Sequence, residues 1–151
     1  MKTVQGDLLE LALAGEFDVI VHGCNCQCAM GAGIAKSIRD HFPEAYRADC
    51  ATPKGEPGKL GTISHAEILR DNVRFTVVNA YTQIHWRGNG IKADYDAICA
   101  AMRSVKAEFG GRRIGYPRIG AGLAGGDWEL IAPIFDAALD GENHRLVQLP
   151  P

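Results

Sequence analysis

The sequence predicts an α/β fold on a central, mainly parallel sheet. Short β-rich runs alternate with runs of helical period along the whole chain. One of the β-rich runs, FDVIVHG at 17–23, is apolar on consecutive positions, as a strand covered on both faces must be. Two glycine clusters, at 31–33 and 120–126, each follow a strand-like run and precede a helix-like one. In open parallel sheets those junctions are where ligands bind. The length, 151 residues, suits one sizeable core, and residues 1–151 are read as a single domain.

The elements follow in order. TVQGDLL, residues 3–9, reads as a short strand meeting a turn at Gly6-Asp7. FDVIVHG is the buried strand. GIAKSIRDHF, 33–42, sets Ile34, Ile38 and Phe42 at helical spacing, and Pro43 limits it. CATPKGEPGKLG, 50–61, has turn formers beside two lysines and reads as an exposed connection. GTISHAEIL (61–69) and RFTVVNAYT (74–82) are strands around a turn at Asp71-Asn72. DYDAICAAMRSVKAEF, 94–109, places Ile98, Met102, Val105 and Phe109 on one stripe, with Asp94 as cap and Gly110-Gly111 as stop. RRIGYPRIG, 112–120, is a strand, DWELIAPIFDAAL, 127–139, a helix, and HRLVQLP, 144–150, a closing strand. Pro133 lacks the N–H that the Glu129 carbonyl would take, so a kink or a slipped first turn is expected in that last helix.

Composition narrows the function. A net charge of −2 supplies no global positive field, so stable nucleic-acid binding is not expected. The longest apolar run is far too short to span a bilayer, and the N-terminus lacks a signal-peptide core. Five cysteines, an odd number without secretory context, read as reduced thiols in a cytoplasmic protein.

His22, Cys24, Cys26 and Cys28 alternate in HGCNCQC and would share a face of an extended chain. Zinc sites pair ligands at wider spacing and add a second pair elsewhere, whereas Cys50 and Cys99 stand alone, so no metal is assigned. A thiol nucleophile lacks both an identifiable base and the C-x₅-R phosphate loop. The glycines say more. A helix start offers free N–H groups and the positive end of a dipole, and glycine lets the backbone approach a phosphate. Two such junctions in one chain point to a ligand with more than one phosphate. Gly120-x-Gly122-x-x-Gly125 fits the dinucleotide fingerprint formally, but it lies too near the end of the chain for a Rossmann unit.

With CNCQCAMGAGIA and YPRIGAGLAGGDW both in view, the chain resembles the macrodomain family. The likeness covers QGDLL as an opening strand with its acid, VHGCN and GAGIA as a first ligand loop, VVNAYTQ as the central strand and PRIGAGLAGGDW as a second loop. Its wording is most similar to the small ADP-ribose-1''-phosphate phosphatases. It is also similar to the branch that removes ADP-ribose from glutamate or nucleobases. The resemblance implies a three-layer α/β/α fold with a central mixed, mainly parallel sheet, and a site for ADP-ribose or its 1''-phosphate that needs no cofactor.

Residue by residue, the resemblance implies that Asp7, with Leu8 beside it, reads the adenine amino group; a turn or cap role is the alternative. Met30, Gly31, Ala32, Gly33 and Ile34 would meet a phosphate and the distal ribose, near Tyr81, Thr82 and Gln83. Ile119, Gly120, Ala121, Gly122, Leu123, Ala124 and Gly125 would wrap the diphosphate. Asn25 would bond the distal ribose, or be a plain loop residue. For catalysis, water would attack the 1''-phosphate with His22 or Asp127 orienting it; the alternatives are a packed histidine and a helix N-cap. One hydrolase branch uses a lysine and an aspartate where this chain has Gln83 and Ala124, with Lys92 well beyond. Trp86 and Arg87 would form a lid or a solvent-facing loop. Three functions follow: phosphatase on the 1''-phosphate, hydrolase on ADP-ribosylated protein or nucleic acid, and reader without turnover.

Overall fold

The computed structural model describes residues 1–151. Strands β1 (Lys2–Gln5), β2 (Val19–Asn25), β3 (Ile63–Arg70), β4 (Val73–Gln83), β5 (Arg113–Tyr116) and β6 (Asn143–Gln148) form one six-stranded sheet in the order β1-β6-β5-β2-β4-β3. Every pairing is parallel except β3 with β4, a hairpin turning at Asp71, whose φ is +51°. The expected mixed, mainly parallel sheet is what forms.

Helices α1 (Leu8–Leu13), α2 (Gly33–His41), α3 (Pro43–Cys50), α4 (Tyr95–Phe109) and α5 (Trp128–Ala138) sort to the two faces. The alternation of β2 divides the core between them. Val19 and Val21 join Ile98, Met102, Val105, Ile131 and Phe135 from α4 and α5. Ile20 joins Leu9, Ala12, Ile38 and Ala45 from α1, α2 and α3, with Phe42 between the last two. Burying such side chains contributes roughly 1.5–3 kcal/mol each, which is why strand register and helix placement are fixed together.

Several expectations are corrected. The opening strand ends at Gln5, before the expected turn at Gly6-Asp7, but Leu8 and Leu9 beyond that turn open α1 under the cap of Asp7, whose Oδ1 accepts the Glu10 N–H at 3.0 Å. Pro43 ends α2 but also begins α3, at the first helical position where its missing N–H costs nothing. The 112–120 strand is paired only over Arg113–Tyr116. The 50–61 connection is not simply exposed: Pro57–Lys59 form a 3₁₀ turn and Lys59 is 5% exposed. Helix α5 starts where expected, on Asp127, and runs through Pro133. Glu129 and Pro133 are both exposed, so the freed Glu129 carbonyl can take water.

Candidate functional site

Strands β2, β4 and β5 are neighbours, and their carboxyl ends deliver the chain into three adjacent loops. The first, after β2, is braced by its own side chains. Asn25 Nδ2 donates to the Ala29 carbonyl at 2.9 Å and Asn25 Oδ1 accepts the Gln27 N–H at 2.9 Å. The Ile84 carbonyl takes the Cys26 N–H at 3.1 Å and Gln27 Nε2 at 3.0 Å, tying the loop to the end of β4. Beneath it, Lys59 Nζ donates to the carbonyls of Cys26 and Pro53, and lies 3.9 Å from buried Asp49. The loop feeds α2, whose Ala32 N-cap supplies no capping side chain. Just before that helix, the N–H groups of Gly31 and Ala32 also donate to no other group of the chain.

The second loop, after β5, folds on itself. Gly125 donates to the Gly122 carbonyl at 3.0 Å and Gly126 to that of Gly120 at 2.7 Å. Gly120 stands at φ +83°, a left-handed conformation natural to glycine. These closures leave the N–H groups of Gly122, Leu123 and Ala124 without partners inside the chain. The loops meet at Leu123, whose Cδ1 lies 3.3 Å from where Gly33 would carry a Cβ.

Between them is a cavity of about 570 Å³. Asn25, Gly31, Ala32, Gly33, Ile34, Thr82, Gln83, Ile119, Gly120, Gly122, Leu123 and Ala124 line it, all anticipated from sequence. A second cavity of about 500 Å³ is lined by Asp7 and Leu8. Ile34, Pro117 and Arg118 line both, so the two adjoin as one groove at the carboxyl ends of the strands. Both volumes suit small ligands.

Six anticipated residues do not line either cavity: His22, Met30, Tyr81, Ala121, Gly125 and Asp127. His22 is fully buried with Nε2 2.6 Å from Asn79 Oδ1, and burial lowers its pKa to about 4, so the ring is neutral. Asp127 is the N-cap of α5, its Oδ1 accepting the Glu129 N–H at 2.9 Å. Met30 packs with Cys24, Cys26 and Tyr81. Tyr81 turns its hydroxyl to Asp49 Oδ1 at 2.7 Å and Ser64 Oγ at 2.7 Å. Ala121 packs against the α4–α5 core, and Gly125 serves the loop closure.

Sequence reasoning missed Pro117 and Arg118 among the residues lining the groove, and it left Trp86 between a lid and a solvent-facing loop. Arg118 directly precedes the second glycine loop, and that adjacency was the available signal. Trp86 is 44% exposed, stacks on His85 at 4.3 Å and lines the larger cavity. Cys24 also lines it, but burial raises its thiol well above the ordinary range, next to neutral His22. No helix is long and apolar enough to cross a membrane.

The family model described as Macro domain matches residues 21–135. An uncharacterized 17.5 kDa protein of Enterobacteria phage T4 is 35% identical over 142 residues, covering 90% of this chain and 88% of the relative. An ADP-ribose 1''-phosphate phosphatase of Aspergillus fumigatus is 36% identical over 77 residues; that stretch is 45% of this chain and only 37% of the relative. Among solved structures, the macrodomain of Mycobacterium tuberculosis DarG superposes with a TM-score of 0.78 at 21% identity, covering 99% of this chain and 97% of that one.

Proposed function

The chain belongs to the Macro domain family, and from that premise we propose that it binds ADP-ribose and removes the phosphate from ADP-ribose 1''-phosphate. One observation carries the reading. Unspent main-chain N–H groups on two facing loops line a cavity that continues past Arg118 into a second cavity holding Asp7. Such amides bind a diphosphate without lysines, and the carboxylate suits an adenine amino group. No group of the chain engages Asp7 Oδ2, so capping α1 and accepting from adenine are compatible. The partial likeness to an ADP-ribose 1''-phosphate phosphatase supports the finer assignment.

In this reading adenine enters the smaller cavity, and the diphosphate crosses the join onto the amides of Gly122, Leu123 and Ala124. The distal ribose lies against Gly31, Ala32 and Asn25. Water attacks phosphorus, the P–O bond to the 1''-oxygen breaks, and inorganic phosphate leaves ADP-ribose. Asn25 and Gln83 orient the reacting end, and the amides stabilise the charge that develops. Oriented donors of this kind contribute about 10²–10³ in rate apiece.

A second reading is favoured by the cavity's chemistry. Cys24 and Arg118 are the only titratable side chains lining the larger cavity, so it holds no carboxylate or imidazole to act as general base. The further factor of about 10²–10⁴ from acid–base help is missing, so turnover by this site is slow. A reader of ADP-ribose is that second function. Chromatography of three parallel incubations separates them: ADP-ribose 1''-phosphate, an ADP-ribosylated protein and ADP-ribosylated DNA. Slow phosphate release from the first alone is expected. Saturable ADP-ribose binding with no product from any would select the reader, and product only from a macromolecule would select the hydrolase.

A further inference from the structure

Arg118 is the only charged side chain lining the larger cavity, and it lines the smaller one as well. Its side chain is exposed, and no ion pair, hydrogen bond or aromatic ring of the chain engages the guanidinium. Asp7 and Glu10 line the smaller cavity too, yet neither pairs with it. Two other arginines are spent on structure, Arg70 on Glu44 at 2.8 Å and Arg113 on Asp18 at 2.8 Å, and what sets Arg118 apart is its place on the wall of both cavities. A cation left free where two cavities meet has no structural duty to explain it.

We propose that Arg118 is the specificity-determining residue of the groove, selecting ligands in which two phosphates link an adenosine to a second group. This rests on the reading that ADP-ribose spans the joined cavities. The loop amides can receive any phosphate. They surround only the larger cavity, whereas Arg118 stands between both. A ligand confined to the adenosine cavity gains little from it. A ligand that crosses the join places its diphosphate beside a fork of N–H donors, which matches phosphate oxygens in pairs. The guanidinium is also the one formal positive charge on a wall made otherwise of backbone dipoles, so it carries the salt-sensitive part of the affinity.

The test is calorimetric titration of ADP-ribose, AMP and adenosine into the native protein, Arg118→Met and Arg118→Lys, at low and high salt. Because the Arg118 side chain makes no internal bond, the thermal midpoint of both variants should match the native one. Arg118→Met should bind ADP-ribose roughly 10- to 100-fold more weakly, the loss of hydrogen bonds to a charged partner. It should bind adenosine as the native protein does and lose most of the salt dependence. Arg118→Lys, which keeps the charge without the fork, should fall between. Unchanged ADP-ribose affinity in Arg118→Met overturns the proposal, and so does an equal loss for adenosine, which would make Arg118 a wall for the base. If the native protein itself does not bind ADP-ribose, the functional reading fails first, and that result is distinct from either.

Discussion

Replacing Gly120 with alanine is expected to remove ADP-ribose binding and lower the thermal midpoint together. Residue 120 stands at φ +83°, and left-handed backbone costs an L-residue about 1–2 kcal/mol. The added Cβ would also stand 2.9 Å from Ile98 Cδ1 and 3.1 Å from Ile131 Cδ1, both fixed in the core. Overpacking of this kind costs about 1–3 kcal/mol more. The summed penalty lowers the midpoint of a chain this size by roughly 5–15 °C. The cheapest relief is for the loop to move, which breaks the Gly126-to-Gly120 bond and turns the amides of 122–124 away from the cavity. Gly122→Ala is the control. That position has ordinary φ and nothing within 4 Å of a new Cβ, so thermal unfolding should be unchanged. Equal midpoints for native and Gly120→Ala would show that the loop is not held as described.

Acid should weaken the fold well before its carboxylates titrate, and His22 is the main cause, with His144, whose pKa burial also lowers, adding to it in the same pH window. Its pKa is about 4 in the folded chain against 6.5 for the free side chain. Below pH 6.5 the unfolded chain takes up a proton that the folded chain refuses. Stability is therefore full above that pH and falls as pH drops toward 4. The loss approaches about 3 kcal/mol, following from roughly 1.4 kcal/mol per pKa unit. Asp49 works the other way, because burial raises its pKa and makes its protonation favour the fold. Glu44, held at about 2 by Arg70, and Asp18, lowered by Arg113, act only from the usual carboxylate range downward. Urea unfolding of native protein and His22→Gln at pH 7.5 and 5 isolates the histidine. Glutamine can still bond Asn79 but does not titrate, so its stability should change much less between the two pH values. The same drop in both proteins would assign the acid sensitivity elsewhere.

The layers and the ligand junctions were legible in the sequence because each rests on local physics. The run VIV could only be a strand covered on both faces, and the α4 stripe could only face a core. The glycines at 33 and 120 announced turns because few other residues take positive φ. The misreadings have equally definite causes. LLELAL is a six-residue helix, too short to show its period beside a strand. Pro43 is both a stop and a start, and the stop signal was weighted. Lys59 looked solvated because a lysine among turn formers usually is, yet the chain closes over it against Asp49 and the Tyr81 ring at 4.5 Å.

In the site, the backbone features were legible, while for His22 and Asp127 the sequence left two roles open. His22 alternates with residues of the cavity wall, so only the packing of β2 on β4 reveals that it faces Asn79. Asp127 follows the second loop immediately, and the α5 N-terminus claims its carboxylate. Arg118 acquires meaning from a groove that residues far apart in sequence complete.

The most direct test of the central idea, that unspent main-chain amides at the two glycine loops grip the diphosphate and the distal ribose, is an amide-resolved NMR titration of the protein with ADP-ribose. The account predicts that the signals of Gly31, Ala32, Gly122, Leu123 and Ala124 move furthest and saturate together with one binding constant. Saturation with those five amides unmoved, or no saturable change at any amide, would contradict it.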